Sequence, residues 1–182
     1  MKRDYSRKIK KVFDDLNSFK KKISVSHDPD VNMAIINYCL ILAYGTIEDL
    51  AKAIIADYFS TPRFPKRCHN FANNLRGTGP KSNLDIRKEK FNDFFGQECS
   101  DAWLAELRRR ISDTSYLDLK FRKYTYSEMF GSTGATDSLA NKRNAFAHGN
   151  NTYAGSIETV IDHYAKCVAW LYEIDDIVVK IG

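Results

Sequence analysis

Arg143, Asn144 and His148 stand within six residues of one another in "LANKRNAFAHGN", Leu139 to Asn150. Each type brings a different capability. An imidazole takes or gives a proton near neutrality. A guanidinium stays charged and offers a planar fork to phosphate oxygens. A carboxamide holds an oxygen or fixes a tautomer. A set of this kind suits cleavage of RNA by its own 2′-hydroxyl. That nucleophile is already tethered to the phosphate it attacks, so the chemistry requires no metal. One chain supplies one such histidine, and the reaction wants both an acid and a base. Two copies related by a two-fold axis would supply two.

The competing reading is a plain helix end. A histidine in the last turn gains from the helix dipole and can bond free carbonyls. An arginine and an asparagine on a polar face need no further explanation.

The spacing fixes how the three residues are displayed. On a helix of ~100° per residue, Leu139 and Phe146 fall within ~20° of each other and form a core stripe. Arg143, Asn144, Ala147 and His148 fan across another arc of ~140°. Asn144 and His148 are one turn apart, hence neighbours. Small residues at Ala140, Ala145 and Ala147 leave room for an approaching group. Gly149 is the residue type that takes the left-handed conformation ending a helix, so the terminus is set just past the histidine.

The elements that must position this helix are helical. Tyr5, Ile9, Val12, Phe13, Leu16, Phe19 and Ile23 recur at three- and four-residue steps, backed by a face of lysines. "SVSHDPD" then breaks the pattern, with Asp28, Pro29 and Asp30 as turn and cap chemistry. Val31 to Phe59 is apolar almost all round through Ile35 to Leu42, which predicts a central helix of a bundle. Glu48 is a carboxylate inside that run, and Pro62 and Pro65 close it. Shorter helical patterns follow at Cys68–Arg76, Leu84–Phe95 and Asp101–Ile111. The loop "GSTGATD" ends at Thr136 or Asp137 as candidate caps. A last helix is expected from Ser156, with Ile157, Val160, Ile161, Tyr164, Val168 and Leu171 facing inward. No repeat and no alternating strand pattern stands out. The expectation is one all-α domain over residues 1–182, a bundle with extra short helices inserted in its middle.

At 182 residues, 43% of them hydrophobic and 28% charged, the chain can bury a core without staples. A net charge of +5 attracts a polyanion without proving one. Two basic groups have aromatic residues among or beside them: Arg108, Arg109 and Arg110, then Lys120, Arg122 and Lys123. They read either as solvated faces or as RNA-backbone contacts. The four cysteines, Cys39, Cys68, Cys99 and Cys167, form no CxxC pair. Cys39 and Cys167 lie in apolar helical runs and read as core residues. Cys68 and His69 are adjacent, but no second pair stands at ligand spacing, so no metal site and no cofactor are expected. His27 and His163 read as turn and helix-surface residues. "GTGP" at 77–80 is too short for a phosphate loop. The opening "MKRDYSRKIKKVFDD" is charged throughout and lacks a signal-peptide pattern. The longest apolar run, about 13 residues, is too short to span a bilayer. The expectation is a reduced, cytoplasmic protein with no membrane partner.

"RNAFAHG", Arg143 to Gly149, resembles the R-x4-6-H motif of the HEPN superfamily, with its polar residue after the arginine and an Ala-His-Gly ending. "DSLANK", "SIETVIDHYAKCVAWL" and "AYGTIEDLAKAII" also look like the nuclease branches, above all the one called RiboL-PSP-HEPN or MAE-28990/MAE-18760-like. The likeness spans most of the chain in layout, and its specific part is the heptapeptide. The resemblance implies an all-α bundle that dimerises with the two motif helices facing each other. It implies metal-independent endoribonuclease activity leaving 2′,3′-cyclic phosphate ends, in a microbial toxin–antitoxin or anti-phage defence system, with an antitoxin or defence protein as a possible partner. Carried over by position, His148 is the general acid/base, Arg143 binds the scissile phosphate and Asn144 supports them. Glu48 matches an acidic position of the early helix, and Lys142 adjoins the motif; both become supporting residues. A second possibility is a non-catalytic HEPN module that binds RNA or a protein. HEPN partners of nucleotidyltransferases often carry a tyrosine two residues after the histidine. Here that position is Asn150 and the nearest is Tyr153, a departure from that subtype.

Overall fold

The computed structural model describes residues 1, 3–77, 84–98, 105, 109, 124–130, 133–149 and 155–181. Seven helices have defined bounds among the described residues: α1 (Arg3–Val25), α2 (Pro29–Phe59), α3 (Lys66–Arg76), α4 (Lys88–Glu98), α5 (Tyr126–Met129), α6 (Ala135–Ala147) and α7 (Ile157–Ile181). The described residues contain no strand, as the periodicity predicts.

Helix α2 is the axis of the bundle, and α1, α3, α6 and α7 all pack against it. Its start obeys the chemistry of "HDPD". Asp28 Oδ1 accepts from the amides of Asp30 (2.9 Å) and Val31 (3.2 Å), and Pro29 takes the first turn, where no amide donor is needed. Leu40, Ala43, Ile47, Ala51, Ile55 and Phe59 are fully enclosed. Against them α1 lays Ile9, Val12 and Leu16, and α7 lays Tyr164, Cys167, Leu171 and Ile174. Phe13 meets Tyr164 edge-on at 4.8 Å, and the Tyr164 hydroxyl donates to the Ile9 carbonyl (3.4 Å). The middle of α7 closes on an aromatic knot: Trp170 stacks on Phe130 at 5.5 Å and takes Phe91 edge-on at 5.4 Å.

Several local expectations shift. The pattern predicted from Leu84 becomes helical only at Lys88. Before it, Asp85 accepts from the Arg87 amide (2.9 Å), a local turn that competes with helix, while Leu84 and Ile86 are buried as irregular chain. Neither Thr136 nor Asp137 caps α6; the N-cap is Gly134, with no side-chain bond. Thr136 is buried, and Asp137 Oδ1 instead accepts from the Lys88 amide that opens α4 (2.8 Å). Helix α5 is an addition, held by a reciprocal Thr125–Glu128 capping box. The helix expected at Asp101–Ile111 lies almost wholly outside the described residues.

Candidate active site on the motif helix

Helix α6 is wedged against α2 and α7. Ala135, Thr136, Leu139 and Ala140 are its buried face. Its C-terminal turn therefore projects from the bundle with one end anchored and the other open. His148 is the C-cap, not an interior helical residue; its amide donates to the Asn144 carbonyl (3.0 Å). Gly149 follows at φ +70°, the left-handed stop expected of it. His148 and Gly149 are exposed, while Arg143 and Asn144 are half-buried.

Arg143 and Asn144 are coupled: Arg143 Nη1 donates to Asn144 Oδ1 at 2.9 Å. The guanidinium also lies over the Tyr44 ring, its carbon 5.0 Å from the ring centre. No carboxylate among the described residues forms an ion pair with Arg143. The site thus presents a cation that no carboxylate of the described residues pairs with, five positions before an exposed imidazole. Both are groups that can act on a phosphodiester, the guanidinium by holding phosphate oxygens and the imidazole by moving a proton.

Glu48 is on the same face of α2, one turn beyond Tyr44, but its carboxylate pairs with Lys52 at 2.6 Å. It surrounds the site without touching Arg143. Its charge and that of Asp85 act with burial, the larger cause, to push the Tyr44 phenol up from its ordinary range. Lys142 is half-buried beside α7, where its charge acts on His163. His163 itself corrects the surface reading. It is half-buried, its Nδ1 is enclosed with no hydrogen-bond partner, and burial above all lowers its pKa to about 4.

Phe146 is the other correction. Leu139 is fully enclosed, but Phe146 is only half-buried. It lines an open groove of about 440 Å³ with Asp30, Met33, Ala34, Asn37, Tyr38 and Ile41 of α2. The wheel placed it on the Leu139 side correctly in angle, but the bundle ends before α6 does. Val31, Tyr38 and Ile41 stand 44–53% exposed along this edge.

Tyr44 and Arg87 are the residues that spacing alone did not single out. Arg87 is clamped by Asp85 and reaches Asn141 on α6 (Nη1 to Oδ1, 3.5 Å). The one sequence signal for Tyr44 is its four-residue step to Glu48 and on to Lys52, which puts all three on one helix face.

Of the basic groups, Arg109 is exposed; Arg108, Arg110, Lys120, Arg122 and Lys123 lie outside the described residues. His69 Nε2 donates to the Thr61 carbonyl (3.0 Å), a structural contact, and no cluster of three metal-ligating side chains occurs among the described residues. Cys39, Cys68 and Cys167 are buried. No helix of the described residues is long and apolar enough to cross a membrane.

Among protein families, the model described as RiboL-PSP-HEPN matches residues 7–180. No curated protein and no solved structure matches the chain.

Proposed function

Because this chain belongs to the RiboL-PSP-HEPN family, whose membership points to a nuclease or an RNA-binding module, we propose that it is a metal-independent endoribonuclease. The observation that carries this reading is the Arg143 guanidinium, paired with no carboxylate of the described residues and held by Asn144, which stands one turn before the exposed His148. In the proposed reaction the RNA 2′-hydroxyl attacks the adjacent phosphorus. One imidazole takes the hydroxyl proton, and an imidazolium gives a proton to the departing 5′-oxygen. Arg143 stabilises the extra negative charge on the phosphorus oxygens as it develops, and Asn144 holds the fork in place. The products are a 2′,3′-cyclic phosphate and a 5′-hydroxyl.

The two imidazoles come from two copies of the chain. The groove beside Phe146 is the seat for the second copy. Val31, Ala34, Tyr38 and Ile41 recur at three- and four-residue steps on the outer face of α2, the seam one helix offers another. An isologous contact there would bring the two motif ends toward one cleft. The setting we propose is a toxin–antitoxin or anti-phage defence system in the cytoplasm, with a cognate inhibitor or defence protein as a further partner.

The test is cleavage of RNA by the purified protein in excess chelator, with end-group analysis. Cleavage with cyclic phosphate ends, lost in His148→Ala and much slowed but measurable in Arg143→Ala, supports the reading. Intact RNA, or equal cutting by His148→Ala, sinks it. A second reading, a non-catalytic RNA-binding module, is favoured by one feature: Lys10, Lys11, Lys21 and Lys22 are exposed along α1. It predicts salt-sensitive RNA binding that the motif substitutions leave unchanged.

A further inference from the structure

We propose that Tyr44 is the residue that positions Arg143, holding the guanidinium by its ring face so that the full positive charge stays available to phosphate. This rests on the ribonuclease reading above.

A long arginine side chain carries roughly 2 kcal/mol of rotamer entropy, so something must hold it for the fork to meet a phosphate in one geometry. Elsewhere in this protein a carboxylate does so for two arginines, while the exposed Arg63 lies over the Tyr58 and Phe64 rings at 4.9 and 5.1 Å. Arg76 is held by Asp57 at 2.8 Å and by Ser60 Oγ at 2.6 Å. Arg87 is clamped by Asp85 through Nε and Nη2. In both cases the partner also cancels the charge. Arg143 is held by a neutral ring and a neutral amide. The attraction of a cation to an aromatic face comes from the ring quadrupole, which orients without neutralising.

Tyr44 is suited to the task because it cannot move. It is 5% exposed, in the middle of the helix against which α1, α3, α6 and α7 all pack. The acids around it are already engaged, Glu48 with Lys52 and Asp85 with Arg87. The raised phenol keeps the ring uncharged across the physiological range, so Arg143 never faces a phenolate. Arg143 therefore has one fixed support from another helix and one from its own, and both leave its remaining N–H groups to substrate.

The experiment compares Tyr44→Phe, which keeps the ring, with Tyr44→Leu, which keeps an apolar side chain and loses the π face. Cleavage is followed at saturating and limiting RNA. Loss of the π face should lower kcat roughly three- to tenfold, the range of one cation–π contact, with little change in KM. Tyr44→Phe should restore it. In an Arg143→Ala background Tyr44→Leu should cost nothing further, because Tyr44 acts through Arg143. Equal loss in both backgrounds, an unaffected Tyr44→Leu, or a Tyr44→Phe as impaired as Tyr44→Leu would each overturn the assignment. A second readout needs neither activity nor a variant. The wild-type Arg143 Nε–Hε resonance should carry the ring-current shift of a proton over an aromatic face, and its absence overturns the proposal even if Tyr44→Leu fails to fold. An RNA-inactive wild type that shows this shift overturns the ribonuclease reading and leaves the positioning intact.

Discussion

Arg143 and Asn144, neighbours in the chain, are joined side chain to side chain, Nη1 donating to Oδ1 over 2.9 Å. Consecutive residues on a helix point about 100° apart, so this contact draws the arginine toward the asparagine and away from the solvent directions otherwise open to it. Asn144→Ala removes one support and should slow cleavage about tenfold, the low end for a hydrogen bond to a charged group. Asn144→Asp keeps the contact and adds a negative charge beside the fork. It should be the more severe of the two, because the carboxylate neutralises the cation and repels phosphate. Single-turnover cleavage of one RNA gives the order, and an Asp variant faster than the Ala variant would contradict it.

Gly149 ends α6 at φ +70°, and a Cβ there would meet no heavy atom within 4 Å. The cost of Gly149→Ala is thus backbone strain alone, about 1 kcal/mol. The larger effect should fall on activity. The strain relaxes by changing the turn that ends the helix, and His148 is the residue before it. Thermal unfolding should shift by only a few degrees while cleavage falls well beyond that. A variant with the wild-type rate would show that the histidine does not depend on this stop.

Ile41 is 44% exposed on the groove edge, so Ile41→Glu should change the stability of the folded chain by less than about 0.5 kcal/mol. In the proposed dimer it would bury a charge against its symmetry mate. Sedimentation should show monomers with wild-type helicity, and RNA cleavage should be lost with the dimer. A fully dimeric Ile41→Glu protein would place the interface elsewhere.

Leu139 and Phe146 share a helical side but not a fate. Leu139 is fully enclosed, and Leu139→Ala should cost about 3 kcal/mol in transfer and cavity terms. Phe146, half-buried on the groove, should cost clearly less when changed to Ala at concentrations where the protein is monomeric. Denaturant titrations of both variants measure the difference, and equal losses would mean that Phe146 belongs to the core.

His163 should make the protein acid-sensitive. Burial first and the Lys142 charge second lower its folded pKa to about 4, with Asp162 opposing and Lys166 adding, against about 6.5 in an unfolded chain. Between these values the unfolded state binds the extra proton, so stability is complete above about pH 6.5 and declines as pH falls toward 4. His163→Gln should flatten that part of the stability–pH profile relative to wild type. An unchanged slope would assign the acid sensitivity to carboxylates instead.

Much of this molecule is written locally. The three- and four-residue apolar steps specify helices, "HDPD" starts α2, and Gly149 stops α6, because each depends on dihedral preferences and caps within a few residues. For the same reason the proximity of Arg143, Asn144 and His148 is legible without a structure: neighbours on a helix are fixed by its pitch. The environment of those residues is not. Glu48 stands out in the sequence because an acid inside an apolar run is conspicuous, yet Lys52 takes its charge. Tyr44 is inconspicuous because an aromatic in such a run reads as core, yet its face lies under Arg143. Asp137 reads as a cap and is spent on the Lys88 amide; His163 reads as surface and is half-enclosed. Lys52 is one turn from Glu48 on the same helix, but the groups that Tyr44, Asp137 and His163 meet come from helices or turns that the chain brings back from elsewhere. Only the packing of α6 against α2 and α7 decided which side chains hold the arginine, and only the end of that packing left Phe146 and His148 facing outward.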